Sequence, residues 1–271
     1  MHATSSPFSA AFCLAGDGPA NSINRSQMHR SLYSSPTWAS EVRSFIRTKT
    51  SQLLSKYAIP LAPPPATPCS RATNTHMTTV YEVDLVRDIF ALVTTHFMSA
   101  MFNLPLKTAS NPHGIYSEQE LYGVLFALFA AVFFDADVAS SLKLREAAKE
   151  YTAQLGALIL AEVRSPALVG FVKRVGDTIH GHPPVEPDQG EPVLKSFGAA
   201  MVARVVHETG GDAEEAVLGS VVMLVASGTA NQTQVLAQAM DYYLGKGRGY
   251  LDELKRLAGL GGKEADELLM R

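Results

Sequence analysis

Apolar residues recur at helical spacing along most of the chain. In residues 38–57, Val42, Phe45, Ile46, Leu53 and Leu54 share a stripe, while Arg43, Arg47 and Lys49 lie off it. That periodicity predicts an amphipathic helix. Residues 81–102 place Leu85, Ile89, Leu92 and Val93 likewise. Ser117 is followed three positions later by Glu120 and then by an apolar run, the signature of a capping box at a helix start. Residues 141–163 put Leu144, Ala148, Tyr151, Leu155 and Leu158 on one stripe, and 193–207 form a shorter segment of the same kind. Asp212 is placed to cap a long helix reaching about Leu244, with Gly245 where a C-terminal glycine belongs. Alternating strand patterns are scarce. The predicted fold is mostly α, with little or no sheet.

Proline divides this pattern. Residues 59–72 carry Pro60, Pro63, Pro64, Pro65 and Pro68, and residues 181–192 carry Pro183, Pro184, Pro187 and Pro192. Proline lacks the amide donor and blocks helix continuation, so both stretches read as extended connectors. Residues 1–11 form an N-terminal segment without clear pattern, and the whole of 1–271 reads as one domain without internal repeats. The strongest apolar run, 121–134, falls short of the roughly 20 residues that a bilayer crossing needs, so it predicts a core helix or a surface-dipping one. The first 20 residues hold no Lys or Arg, unlike a secretion signal.

Charge and cysteine content narrow the class. A net charge of −3 lacks the basic footprint of a nucleic-acid binder. Two isolated cysteines, Cys13 and Cys69, provide neither a disulfide framework nor a zinc site, and a reducing, cytoplasmic setting is the expectation. Peripheral contact with membranes is compatible with all of this. His180-Gly-His182 lies beside Pro183 without helical pairing, and no metal site is expected. Gly245-Lys-Gly-Arg-Gly249 lacks the Gly-Lys-Ser/Thr step of a phosphate loop.

The most informative stretch is 217–244. Its first ten residues are almost wholly apolar, which predicts burial all round. Its second half carries Ser227, Asn231, Gln234, Gln238 and Asp241, at spacings of four, three, four and three, on one helix face. An ordinary surface helix would also show a polar face. Three features point instead to a cavity wall. The stripe consists of carboxamides rather than Lys and Glu. Ser227-Gly228-Thr229-Ala230 is a small-residue patch that lets a bulky group approach the backbone. No charged residue occurs from 217 to 240.

Ala230-Asn231-Gln232-Thr233-Gln234, followed by Ala237-Gln238 and Asp241-Tyr242-Tyr243-Leu244, resembles the central helix of the haem-thiolate domain of fungal linoleate diol synthases, also called psi-factor-producing oxygenases. Further segments are similar: Thr73-Asn74-Thr75-His76-Met77, Phe102-Asn103-Leu104-Pro105-Leu106-Lys107, Asn111-Pro112-His113-Gly114-Ile115-Tyr116 and Met28-His29-Arg30-Ser31-Leu32-Tyr33. The likeness runs from about Phe12 onward. It implies a cytochrome P-450-like helical domain that turns a polyunsaturated fatty acid hydroperoxide into a diol with haem. In that family a peroxidase-like dioxygenase precedes this domain.

The resemblance implies catalytic roles for Asn231 and Gln234. Carboxamides do not titrate; they offer N–H donors and a carbonyl acceptor, suited to orienting a peroxide and stabilising charge as the O–O bond polarises. A monooxygenase that starts from molecular oxygen also needs a proton relay, which amides cannot provide. Arg25, His29 and Arg30 match the region that meets the haem propionates, although a basic surface turn would carry the same residues. Gly228 lies in the small-residue patch beside the expected cofactor. The family's axial thiolate comes after the central helix, where this sequence has no cysteine. Glu253-Leu-Lys-Arg256 matches the family's E-x-x-R pattern but lies too close to the central helix. The chain therefore reads as the front part of an isomerase domain, cut at both ends. The alternative is a non-catalytic helical remnant without haem, limited to lipid or partner binding.

Overall fold

A computed structural model describes residues 19–32, 37–61, 80–108, 111–134, 138–163, 193–208 and 212–260. The chain is mostly helical. In order come α1 (Pro19–Leu32), α2 (Trp38–Tyr57), β1 (Ile59–Pro60), β2 (Tyr81–Glu82), a π-helical turn (Leu85–Phe90) running into α3 (Ala91–Phe102), α4 (Glu118–Phe133) and α5 (Val138–Val163). After these come α6 (Val193–Glu208), α7 (Ala213–Ala216), a second π turn (Val217–Val221), the central helix α8 (Val222–Leu244), a 3₁₀ turn (Arg248–Tyr250) and α9 (Leu251–Leu260).

The helix starts follow local hydrogen-bonding chemistry. At α4, Ser117 Oγ accepts the Glu120 N–H at 3.2 Å, and Glu120 Oε2 accepts the Ser117 N–H at 2.7 Å. This is the reciprocal satisfaction of orphan donors that the sequence predicts. Helix is expected from residue 81, but it begins at Leu85. Asp84 takes an extended conformation and its Oδ1 accepts the N–H groups of Val86 and Arg87. With the cap fixed there, Tyr81–Glu82 stay extended and pair antiparallel with Ile59–Pro60, the only strands among the described residues. The connector at 59–72 is thus a β-bridge at its first two residues; 62–79 and all of 181–192 lie outside the described residues, as do 1–11.

The central helix also starts differently from the expectation. Asp212 Oδ1 accepts the Glu214 N–H at 3.0 Å, so the residue does cap, but α7 and a π turn intervene before regular α-helix sets in at Val222. Gly245 closes the helix with its N–H bonded to the Asp241 and Tyr242 carbonyls. Its φ is −101°, so the closure uses no left-handed residue. That conformation occurs instead at Asn103, the C-cap of α3, with φ 50°.

The core forms around α3, which packs against α2, α4, α6 and α8. Ten of its residues are buried, polar ones included. Leu85–Phe102 is long and apolar enough to cross a membrane by length and composition, with mean hydropathy 1.3, yet 72% of it is covered by protein, as in a core helix. The 121–134 run likewise packs inward through Leu121, Leu125 and Leu128. Val217, Val221, Val222 and Val225 have no exposed surface, but Leu218 and Leu224 are only half-buried, so the first part of the long segment is largely covered rather than buried all round. At the α3–α6 crossing a Cβ on Gly198 would overlap the Met101 carbonyl, so only glycine permits that approach. Gly114 plays the same part in the 104–116 loop, where it lies against the Leu106 backbone and allows Pro105 O to accept the Ile115 and Tyr116 N–H groups.

Candidate functional site

On α8 the helical phase divides the residues sharply. Val222, Met223, Val225, Ala226, Thr229, Ala230 and Thr233 are buried. Asn231, Gln234, Gln238 and Asp241 are exposed, and Ser227 is half-buried with its hydroxyl donating to the Met223 carbonyl at 2.7 Å. The predicted stripe is therefore continuous and points away from the core. Val235, 64% exposed, lies between the amides, and Tyr242, 48% exposed, follows them. This face is uncharged as far as Met240 and partly apolar.

Gly228 is half-buried, and the space above it is taken by the Met98 side chain of α3. Arg25, His29 and Arg30 are exposed on α1, which packs against α6 rather than beside the amide stripe. The structure thus brings Asn231 and Gln234 together on one face, and places the α1 cations and Gly228 elsewhere. Glu253 and Arg256 form a surface pair within α9, with Arg256 Nε donating to Glu253 Oε2 at 2.7 Å. The residues 180–182 lie outside the described residues, and no group of three potential metal ligands occurs among those described.

A second polar centre has no local signature in the sequence. Glu118, at the start of α4, is buried and accepts three hydrogen bonds: from His96 at 2.7 Å, Lys56 Nζ at 2.8 Å and Tyr57 Oη at 2.7 Å. The His96 bond, opposed by burial and aided by Lys56 and Tyr57, holds the Glu118 carboxyl down at about 2. An ionised carboxylate only accepts, so Nε2 of His96 carries the proton in this pair. His96 also lines an open cavity of about 220 Å³ with Phe45, Lys49, Asn103, Leu104 and Leu106. Burial pushes the Lys49 ammonium down; the Glu118 carboxylate partly offsets this, and Lys56 adds to it. His96 and Glu118 are 22 positions apart, so no spacing motif joins them. The only sequence clue is a histidine inside an apolar helix, which must find a partner when buried.

No protein-family model matches the chain, and no solved structure matches it. Curated proteins do. The linoleate diol synthase of Gaeumannomyces graminis is 36% identical over 297 aligned positions, which take in 96% of this chain and 25% of that protein. Psi-producing oxygenase A of Aspergillus fumigatus is 36% identical over 272 positions, covering all of this chain and 23% of its own length. A bifunctional dioxygenase–epoxy alcohol synthase of Fusarium oxysporum is 35% identical across 96% of this chain and 18% of itself. The chain spans about a quarter or less of the length of these relatives. Over nearly its whole length, this mostly helical chain is homologous to one segment of the fungal linoleate diol synthases and psi-producing oxygenases.

Proposed function

We propose that the chain corresponds to the front part of a cytochrome P-450-like hydroperoxide isomerase domain in a fungal linoleate oxygenase, with a polyunsaturated fatty acid hydroperoxide as substrate. The observation that carries this reading is the outward face of α8. Asn231, Gln234 and Gln238 share it with Val235, Tyr242 follows them, and no charge occurs before Asp241. A helix built for solvent normally carries Lys and Glu on its outer face. This one has the composition of a chamber wall, with apolar surface for a lipid chain and amides for an oxygen function.

The fit to haem is partial. The α8 face suits one side of a haem chamber. Cys13 and Cys69 lie outside the described residues, which therefore contain no thiolate to hold iron. Haem, when bound, supplies the redox chemistry of O–O cleavage. The tasks left to this chain are orientation and polarisation. Asn231 and Gln234 donate N–H groups to the hydroperoxide oxygens and stabilise the charge that develops between them. Neither residue needs to gain or lose a proton. Arg25, His29 and Arg30 remain candidates for meeting the propionates. The same reading implies a cytoplasmic protein in peripheral contact with the membranes that hold its lipid substrate.

In a protein of the relatives' length containing this sequence, Asn231→Leu is expected to lower diol formation by about 10²–10³, the effect of removing one oxyanion-stabilising donor. The haem absorption spectrum should stay the same. An undiminished diol yield defeats the proposal. The open setting of Asn231 and Gln234 favours a second reading for the chain by itself, that of a helical remnant without turnover. Mixed with haem and reduced under CO, this chain should then give no thiolate-type band; such a band rules the remnant reading out.

A further inference from the structure

The structure assigns a second site, separate from the α8 face: the cavity between α2, α3 and the 103–111 loop is a binding site for a small organic carboxylate, with Lys49 as its cation. The two sites are independent, and this one stands whether or not the oxygenase reading holds.

The cavity has the parts such a ligand requires. Lys49 lines it, and no carboxylate lies within ion-pairing distance of its ammonium among the described residues. Glu118, the nearest anion in the network, is already engaged by Lys56, Tyr57 and His96. One carboxylate therefore faces two lysines, and the local balance is positive before His96 is counted. The His96 side chain is 9% exposed, its Nε2 is committed to Glu118, and its ring forms part of the cavity wall. Its Nδ1 has no protein partner among the described residues.

Asn103 adds a side-chain amide with no hydrogen-bond partner among the described residues, held at the cavity by its left-handed backbone at the end of α3. Two side chains tie down the described residues of the loop behind it. Ser99 Oγ donates to the Leu104 carbonyl at 2.7 Å, and Asn111 Nδ2 donates to the Leu106 carbonyl at 3.0 Å.

Ser99, Thr108 and Asn111 also line the cavity, the first and last of them engaged by the Leu104 and Leu106 carbonyls, and the apolar part of the wall is Phe45, Ala100, Leu104 and Leu106. An inorganic anion would leave that surface bare, whereas an apolar body carrying a carboxylate covers it. Volume sets the size. A cavity of about 150 Å³ accommodates benzene. At about 220 Å³, this one has room for a ring or a short aliphatic chain together with its carboxylate. Lys49 is held below its ordinary pKa by burial, so a bound anion also relieves a strained charge.

The test is titration of the whole 271-residue chain with benzoate, followed through the His96 imidazole and Lys49 ammonium NMR resonances. The expected result is a saturable shift of both, together with a rise in the Lys49 pKa. Inorganic phosphate and benzyl alcohol should each bind more weakly than benzoate. Lys49→Met removes a charge-assisted hydrogen bond and should weaken benzoate binding roughly tenfold or more. It breaks no ion pair, so the fold is expected to persist. Asn103→Gly preserves the left-handed backbone and should weaken binding less, which gives a second variant should the first prove unstable. No saturation up to about 50 mM benzoate overturns the proposal, a limit set by the millimolar affinities usual for so small a ligand. Equal binding of benzyl alcohol, or unchanged benzoate affinity in Lys49→Met, overturns it as well.

Discussion

Adding one methyl group distinguishes the glycines of this chain. At Gly198 a Cβ would sit against the Met101 carbonyl of the facing helix, and backbone atoms cannot turn aside as a side chain can. Gly198→Ala is expected to lower stability by about 1–3 kcal/mol, the range for overpacking. Gly123 is exposed within α4 and a Cβ there meets nothing within 4 Å. Gly123→Ala should raise stability by about 0.5–1 kcal/mol, because only the helix-propensity gain remains. Urea denaturation of both variants checks the contrast in sign. Glu118 provides a pH-dependent counterpart. Its carboxyl lies near 2 in the folded chain against 4.5 ordinarily, so the folded state favours the ionised form. That contribution is fully present above about pH 4.5 and is lost as pH falls toward 2. A shift of this size corresponds to about 3 kcal/mol at most. Glu118→Gln should therefore be destabilised at neutral pH, and the gap to the parent chain should narrow between pH 5 and 2 in denaturation curves. A constant gap over that window would show that ionisation of Glu118 contributes nothing to the fold.

The helices themselves were the legible part of the sequence. Trp38–Tyr57 is α2, and the Ser117–Glu120 box starts α4, because both signals are local: an apolar stripe in one case, a reciprocal pair of hydrogen bonds in the other. The π turns at Leu85–Phe90 and Val217–Val221 were not legible, since a single extra backbone residue per turn leaves the apolar pattern almost unchanged. The pairing of Ile59–Pro60 with Tyr81–Glu82 was hidden for another reason: two residues are too few to show alternation. The amide stripe on α8 was visible as a period, but whether it faced a cavity or solvent depended on neighbours that periodicity does not contain. The His96–Glu118 network was invisible because its members come from three helices. Between α3 and α8 the contact includes another such pair, Thr94 Oγ1 and Thr233 Oγ1, 3.0 Å apart in the core. Each hydroxyl also lies within reach of a carbonyl of its own helix, Phe90 O for Thr94 and Thr229 O for Thr233. Thr94→Val and Thr233→Val should each destabilise modestly, and the double variant by less than their sum, with a coupling of about 0.5–1.5 kcal/mol. Strict additivity in that cycle would mean that the two hydroxyls serve their own helices only.

For the whole molecule, the question is what the outward face of α8 is for, and the answer bears on stability as much as on chemistry. Val235 and Gln238 contribute little to the fold of this chain, because both are exposed. Surface substitutions away from caps and cores usually change stability by less than about 0.5 kcal/mol. Lysine is a good helix former, and near the C-terminal end of α8 a positive charge is favoured by the helix dipole. Val235→Lys with Gln238→Lys should therefore leave the urea midpoint of this 271-residue chain close to its starting value. The same double substitution should behave differently in a protein of the relatives' length, if the face becomes a wall of a closed chamber there. Two ammonium groups would then be buried without partners, which costs several kcal/mol each, and the chamber could not close around them. The expected outcome is a silent variant in the short chain and a destabilised one, with reduced haem uptake by absorbance, in the long protein. Silence in both would show that the stripe faces solvent in either setting. The amides would then have no part in oxygen chemistry, and the uncharged composition of the helix would need another explanation.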